Sequence, residues 1–199
     1  TYFKDKLVDL ILIPHYVGKL DSGDSPVVRF RGHPTIVSYL RHKIDRPNTT
    51  PWWMNVMPPP ILGVLVGGST RTKAFITSDG IDFGKRLESF AASGFGSVIL
   101  SSSRRTPDSA LMAIFQQLAH TPLIFIDGKG TRLPDPEIGM SKEMFDILAH
   151  ADQLLVTGDS LSMLSDAVAT GKPVWVYADE KFLEPRHQRL ILEYHRLGL

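Results

Sequence analysis

The sequence predicts an α/β protein built on a Rossmann-like parallel sheet, and three observations carry that reading. Short apolar runs begin near residues 61, 97, 123, 153 and 174, and segments with apolar residues at helical spacing lie between them. The run Ile61-Leu-Gly-Val-Leu-Val66 is apolar on both of its faces, as a central parallel strand covered by helices must be. Several runs end in turns rich in Gly, Ser and Arg, and right-handed crossovers between parallel strands set such turns along one edge of the sheet.

The regular alternation starts at residue 61. Before it, Val8-Asp-Leu-Ile-Leu-Ile-Pro14 reads as a buried strand, residues 15–26 as a Gly, Ser and Asp loop, and Val27-Val-Arg-Phe-Arg31 as a short alternating strand. Residues 33–43 predict a helix with Ile36, Val37 and Leu40 inward. The chain opens on Thr1 already inside an α/β pattern, so residues 1–45 are expected to be the tail end of an N-terminal domain. Residues 46–60 hold a proline triplet that resists both helix and sheet, which makes them the expected linker. Trp52 and Trp53 within it are expected to pack on an apolar surface or a domain interface. Residues 61–199 form the expected main domain.

The first strand of that domain runs into Gly67-Gly-Ser-Thr-Arg-Thr72. Two glycines let a backbone approach a phosphate closely, Ser69 and Thr70 supply hydroxyls, and Arg71 supplies a guanidinium fork. No Gly-Lys-Ser/Thr follows, so this is not a Walker loop. Residues 73–82 read as a β-rich or loop insertion with Ser78-Asp-Gly80 as a turn, and residues 84–93 as a helix with Leu87, Phe90 and Ala91 on one face. The strand at 97–100 opens into Ser101-Ser-Ser-Arg-Arg-Thr-Pro107, where Ser103, Arg104 and Arg105 precede a helix beginning near Pro107-Asp108. Residues 110–119 are amphipathic, Leu123-Ile-Phe-Ile126 reads as a buried strand, 127–136 as a polar loop and 139–150 as a helix.

The most informative stretch comes next. Leu154 to Val156 are apolar and end in Thr157-Gly-Asp-Ser160; Leu161, Leu164 and Val168 then recur at helical spacing until Gly171-Lys-Pro173, and Val174 begins another strand. If Asp159 or Ser160 caps this helix, its first-turn N–H groups face the sheet edge where anions dock. Ser160, Ser162 and Ser165 add hydroxyls, and Asp166 lies on the second turn, where a carboxylate accepts hydrogen bonds from a ribose diol. A last helix spans residues 184–197.

Charge and composition exclude several classes. With 22 basic against 21 acidic residues, no basic excess argues for nucleic acid. No cysteine is present, which fits a reducing, cytoplasmic setting and removes disulfides and thiolate metal sites. No apolar run approaches the roughly 20 residues of a spanning helix, so membrane contact is expected to be peripheral. No His-Glu-x-x-His, paired-cysteine or Gly-x-Ser-x-Gly motif occurs, so no metal site is expected, and an epimerase reading lacks the full dinucleotide fingerprint.

Gly67-Gly-Ser69, Ser102-Ser-Arg-Arg-Thr-Pro107 and above all Thr157-Gly-Asp-Ser-Leu-Ser-Met-Leu-Ser-Asp-Ala-Val-Ala-Thr-Gly-Lys-Pro-Val174 resemble the plant mitochondrial-fission factor family and its bacterial relatives, which are treated as GT-B-type glycosyltransferases. The resemblance covers residues 61–197 well and the first 45 loosely. It implies the donor-binding domain of a GT-B fold, with a nucleotide sugar as substrate, metal-independent transfer and no separate cofactor. Gly68 and Ser69, Arg104 and Arg105, and Ser160 and Ser162 would hold the diphosphate and sugar. Asp166 would take the ribose, at a position where many GT-B families carry Glu. Arg71, Ser103, Asp159 and Met163 complete the candidate set from the same turns. The acceptor and the general base are left open, with His15 and His33 as base candidates near the expected interdomain cleft. From another class, the same resemblance implies a non-catalytic scaffold that recruits the fission machinery.

Overall fold

The computed structural model describes residues 10–19, 26–128, 135 and 138–199. Strands β1 (Ile11–Pro14) and β2 (Val27–Phe30) pair in parallel and lead into α1 (Val37–Asp45) and a short 3₁₀ turn at Trp52–Asn55. The main sheet then unfolds as β3 (Ile61–Val66), α2 (Thr77–Ala92), β4 (Ser97–Ser102), α3 (Asp108–Gln117), β5 (Leu123–Ile126), α4 (Lys142–His150), β6 (Gln153–Thr157), α5 (Leu161–Ala169), β7 (Val174–Tyr177) and α6 (Pro185–Arg196). Its order is β5-β4-β3-β6-β7, with every pairing parallel. This is the Rossmann-like α/β architecture that the sequence predicts.

Side chains of β3 alternate between two cores. Ile61 and Leu65 pack with Val37, Leu40, Ile44, Ile147 and Leu164 on one face; Leu62, Val64 and Val66 pack with Phe83, Leu87 and Ile114 on the other. Each of these buried aliphatic and aromatic side chains contributes about 1.5–3 kcal/mol of transfer free energy.

Several expected elements shift. α2 begins at Thr77, so Ser78-Asp-Gly80 is a helical first turn and not a loop: Asp79 Oδ2 accepts from the Ile76 N–H at 2.9 Å. Glycine there reads as a breaker, but it serves contact with α3, since a Cβ on Gly80 would stand 2.4 Å from the Ala110 carbonyl oxygen. β4 extends through Ser101 and Ser102, which are buried in the strand and leave the turn to Ser103 onward. β5 is an edge strand, with Phe125 exposed. β1 is buried on one face only: Ile11 and Ile13 point inward, Leu10 and Leu12 outward. α1 starts at Val37, with Ile36 exposed and Ile44 taking the inward position. Trp53 is buried edge-on against His150, at 6.1 Å and 89° between rings, whereas Trp52 is exposed. Most of the loop expected at 127–136, and Val8 and Asp9 of the first strand, lie outside the described residues.

Candidate functional site

β3 and β6 are neighbours, yet the chain leaves them in opposite directions, from β3 through α2 to β4 and from β6 through α5 to β7. That is the topological switch point of an open parallel sheet, and the turns that follow the two strands splay apart to form a crevice. Here the crevice is woven from backbone. The Gly67 N–H donates to Thr157 Oγ1 at 2.7 Å and the Gly68 N–H to Asp159 Oδ2 at 2.6 Å. Ser103 Oγ donates to the Gly67 carbonyl at 2.8 Å, and Thr106 Oγ1 donates to the Val66 and Gly67 carbonyls. The Ser69 N–H meets the Arg105 carbonyl at 3.1 Å, and Arg105 Nη1 returns to the Ser69 carbonyl at 3.0 Å. Only glycine permits this closeness: a Cβ on Gly68 would lie 2.2 Å from the Arg105 carbonyl oxygen, and one on Gly67 would lie 2.1 Å from Asp159 Oδ2.

The crevice encloses about 370 Å³. Of the residues singled out from sequence, Ser69, Arg71, Arg105, Asp159, Ser160 and Ser162 line it, together with His33. Gly68 and Ser103 stand behind as shapers of the turns. Arg104 is exposed beside the cleft without lining it, and Met163 packs half-buried against the core. Asp166 faces elsewhere: Thr35 Oγ1 donates to its Oδ1, so it ties α5 to the segment ahead of α1 and does not line the crevice. His15 lies in a different cavity. Thr70, read from sequence as a hydroxyl of the first turn, also lines the crevice, as do Leu161, Arg186 and His187, which the sequence does not mark for it. The two from α6 carry no local signal, because only the fold brings the start of that helix across the sheet edge.

Asp159 does not cap α5 as its position suggests. Its side chain is fully buried, turned back onto Gly68, with Arg105 Nη2 3.6 Å from Oδ2 and, among the described residues, no hydrogen-bond partner for Oδ1. Burial pushes this carboxyl above its ordinary range, opposed by the Gly68 N–H, the Thr157 hydroxyl and Arg105. Ser160 stands at the N-cap without a side-chain cap, so the first-turn N–H groups of α5 remain available at the cleft.

His187 is buried, and its Nδ1 accepts from the Glu184 N–H at 3.0 Å. Burial and then Arg186 lower its pKa to about 4, so the ring is neutral near pH 7 with its proton on Nε2. Glu184 is held down to about 2 by the Thr70 and Thr72 hydroxyls and by Arg186. His33 has its Nδ1 2.5 Å from the Tyr16 hydroxyl, and burial lowers its pKa. The crevice therefore presents three guanidinium groups, an open helix N-terminus and a neutral imidazole donor around one buried carboxylate. Such a set suits an anion with several oxygens.

A parallel sheet with helices on both faces and an anion-favouring crevice at its switch point defines the Rossmann-like class of α/β proteins. The chain belongs to the mitochondrial fission ELM1 family, whose model matches residues 3–199. It is 28% identical over 128 residues to Uncharacterized protein RP120 of Rickettsia prowazekii (strain Madrid E), covering 64% of this chain and 34% of that one. It is 29% identical over 154 residues to Mitochondrial fission protein ELM1 of Arabidopsis thaliana, covering 72% of this chain and 33% of that one. The chain thus spans about one third of the length of each relative. No solved structure matches it. Among the described residues, no helix is long and apolar enough to cross a membrane.

Proposed function

We propose that the crevice between β3 and β6 binds the diphosphate of a nucleotide sugar, and that the chain is the donor-binding part of a glycosyltransferase. The observation that carries this reading is the convergence of Arg71, Arg105 and Arg186 with the uncapped start of α5 on one cleft of about 370 Å³. Cations and backbone donors fixed around a departing nucleoside diphosphate stabilise the charge that develops on it, and they do so without reorganising. The neutral His187 adds a donor that survives across physiological pH. His33 faces the cleft in the neutral form a base needs, which makes it the stronger of the two histidine candidates, since His15 lies outside the crevice. Asp166 is given a supporting role here, not the ribose contact, because Thr35 occupies it.

The test is calorimetric titration with a panel of nucleoside diphosphates and nucleotide sugars. Selective binding weakened about tenfold each by Arg105→Ala and Arg186→Ala is expected. A folded chain that binds no member of the panel would sink the reading. A second reading, a non-catalytic protein that recruits partners through the same fold, is favoured by the name of the Arabidopsis thaliana relative, which speaks of fission and not of transfer. Donor binding without turnover in the full-length protein, across a broad acceptor screen, is the result that would select it.

A further inference from the structure

Tyr16, whose hydroxyl reaches His33, also lines a second cavity of about 520 Å³ between the β1–β2 segment and the outer face of α6. None of its lining residues is shared with the first crevice. Three guanidinium groups, from Arg31, Arg189 and Arg196, meet there with His15, and Glu193 is the one carboxylate among the lining residues. Glu193 is partly engaged by the Gly32 N–H at 3.4 Å, and Arg189 spends its Nε on the Tyr16 carbonyl at 2.9 Å. Among the described residues, no ion pair joins any of the three arginines to a carboxylate.

Like charges gathered without a carboxylate ion pair among the described residues repel, and a guanidinium fork matches the oxygens of phosphate. The position of Arg196 in the last turn of α6 is accounted for by the helix dipole, but that of Arg31, which lies on another segment, is not. Beside these charges the cavity is lined by Leu192 and Leu197, which are 52% and 39% exposed. A site that sets exposed leucines against three cations is complementary to a ligand with both characters. We propose that this cavity binds the phosphate head of an amphiphile, whose hydrocarbon chain lies along Leu192 and Leu197.

The probes are dihexanoyl phosphatidic acid as a monomer, glycerol 3-phosphate, which has the head without the chains, and dihexanoyl phosphatidylcholine, whose head carries no net charge. Phosphatidic acid is expected to bind about tenfold or more tightly than either of the others. Arg31→Ala and Arg196→Ala should each weaken it about tenfold, with circular dichroism unchanged because both side chains are exposed. Leu192→Ser should remove the advantage over glycerol 3-phosphate and leave glycerol 3-phosphate itself unaltered. Arg105→Ala should have no effect, which keeps this result separate from any result at the first crevice. Phosphatidic acid binding no better than the two controls, or binding indifferent to Arg31 and Arg196, overturns the proposal. Phosphatidylcholine vesicles with and without phosphatidic acid then tell a bilayer headgroup from a soluble phosphorylated amphiphile.

Discussion

The two ends of α5 are built by different means. At its start, the crevice is made of backbone meeting backbone or short polar groups: Gly67 on Thr157, Gly68 on Asp159, Ser69 on Arg105. Further along, the helix receives the N-terminal segment through side chains, with Thr35 on Asp166 and Arg41 on the Ala169 carbonyl, and it receives α6 through Tyr194 on Ser165. The first arrangement tolerates no added atoms, while the second tolerates loss at the cost of individual bonds. Rigidity at the crevice suits a site that must hold donors in place, and the other junction needs only to fasten a segment.

Gly68→Ala should break the comparison most sharply. The new Cβ, 2.2 Å from the Arg105 carbonyl, forces the two turns apart, and a loss of about 3 kcal/mol is expected. Urea unfolding monitored by circular dichroism measures it; a midpoint within error of wild type would show that the turns yield freely. Thr35→Val comes next, at about 2 kcal/mol. It removes the donor to a partly buried carboxylate and also the hydroxyl that accepts from the Val37 N–H at the start of α1. Equal losses from Gly68→Ala and Thr35→Val would erase the distinction between the two junctions. Arg186→Ala should sit lower still, within about 0.5 kcal/mol, because its pairing with Glu184 at 2.9 Å is half-exposed. Its effect belongs to ligand binding.

The same contrast explains what could be read from the sequence. The crevice is legible because its requirements are local: an apolar strand followed by Gly67-Gly68, and another followed by Thr157-Gly-Asp-Ser160, each carry their meaning within a few residues. Even there the cap is legible only in position: Ser160 stands at the N-cap without a side-chain bond, and Asp159 satisfies Gly68, 91 residues away, in preference to its own helix. The partner of Asp166 lies 131 residues away, so its position on α5 suggests a ligand contact that Thr35 has already taken. Arg186 and His187 open an ordinary amphipathic helix, and nothing near them in the chain points to a cleft. Gly80 reads as a turn because its value lies in contact with Ala110 on α3, and a single-sequence pattern does not record contacts of that kind.

The smallest expected effect concerns the partly buried carboxyl at the second junction. Burial raises the Asp166 pKa above its ordinary value, and the Thr35 hydroxyl only partly offsets this. Below the ordinary carboxylate pKa the group is protonated in both folded and unfolded chains and its contribution to stability is fully present. As pH rises, the unfolded chain releases its proton first, so that contribution declines and is lost once pH passes the raised folded value. Asp159 acts in the same direction at the crevice, whereas Glu184, held at about 2, contributes stability that is lost only as pH falls toward that value. The two windows lie on opposite sides of the ordinary carboxylate range, so one titration separates them. Asp166→Asn keeps an oxygen that can accept from Thr35 and removes the charge. Stability measured by urea unfolding from pH 4 upward should therefore decline less with pH in this variant than in wild type. A decline of equal steepness would mean that Asp166 ionises in the folded protein as easily as in the unfolded one, and that Thr35 fastens the segment without any cost from burying a charge.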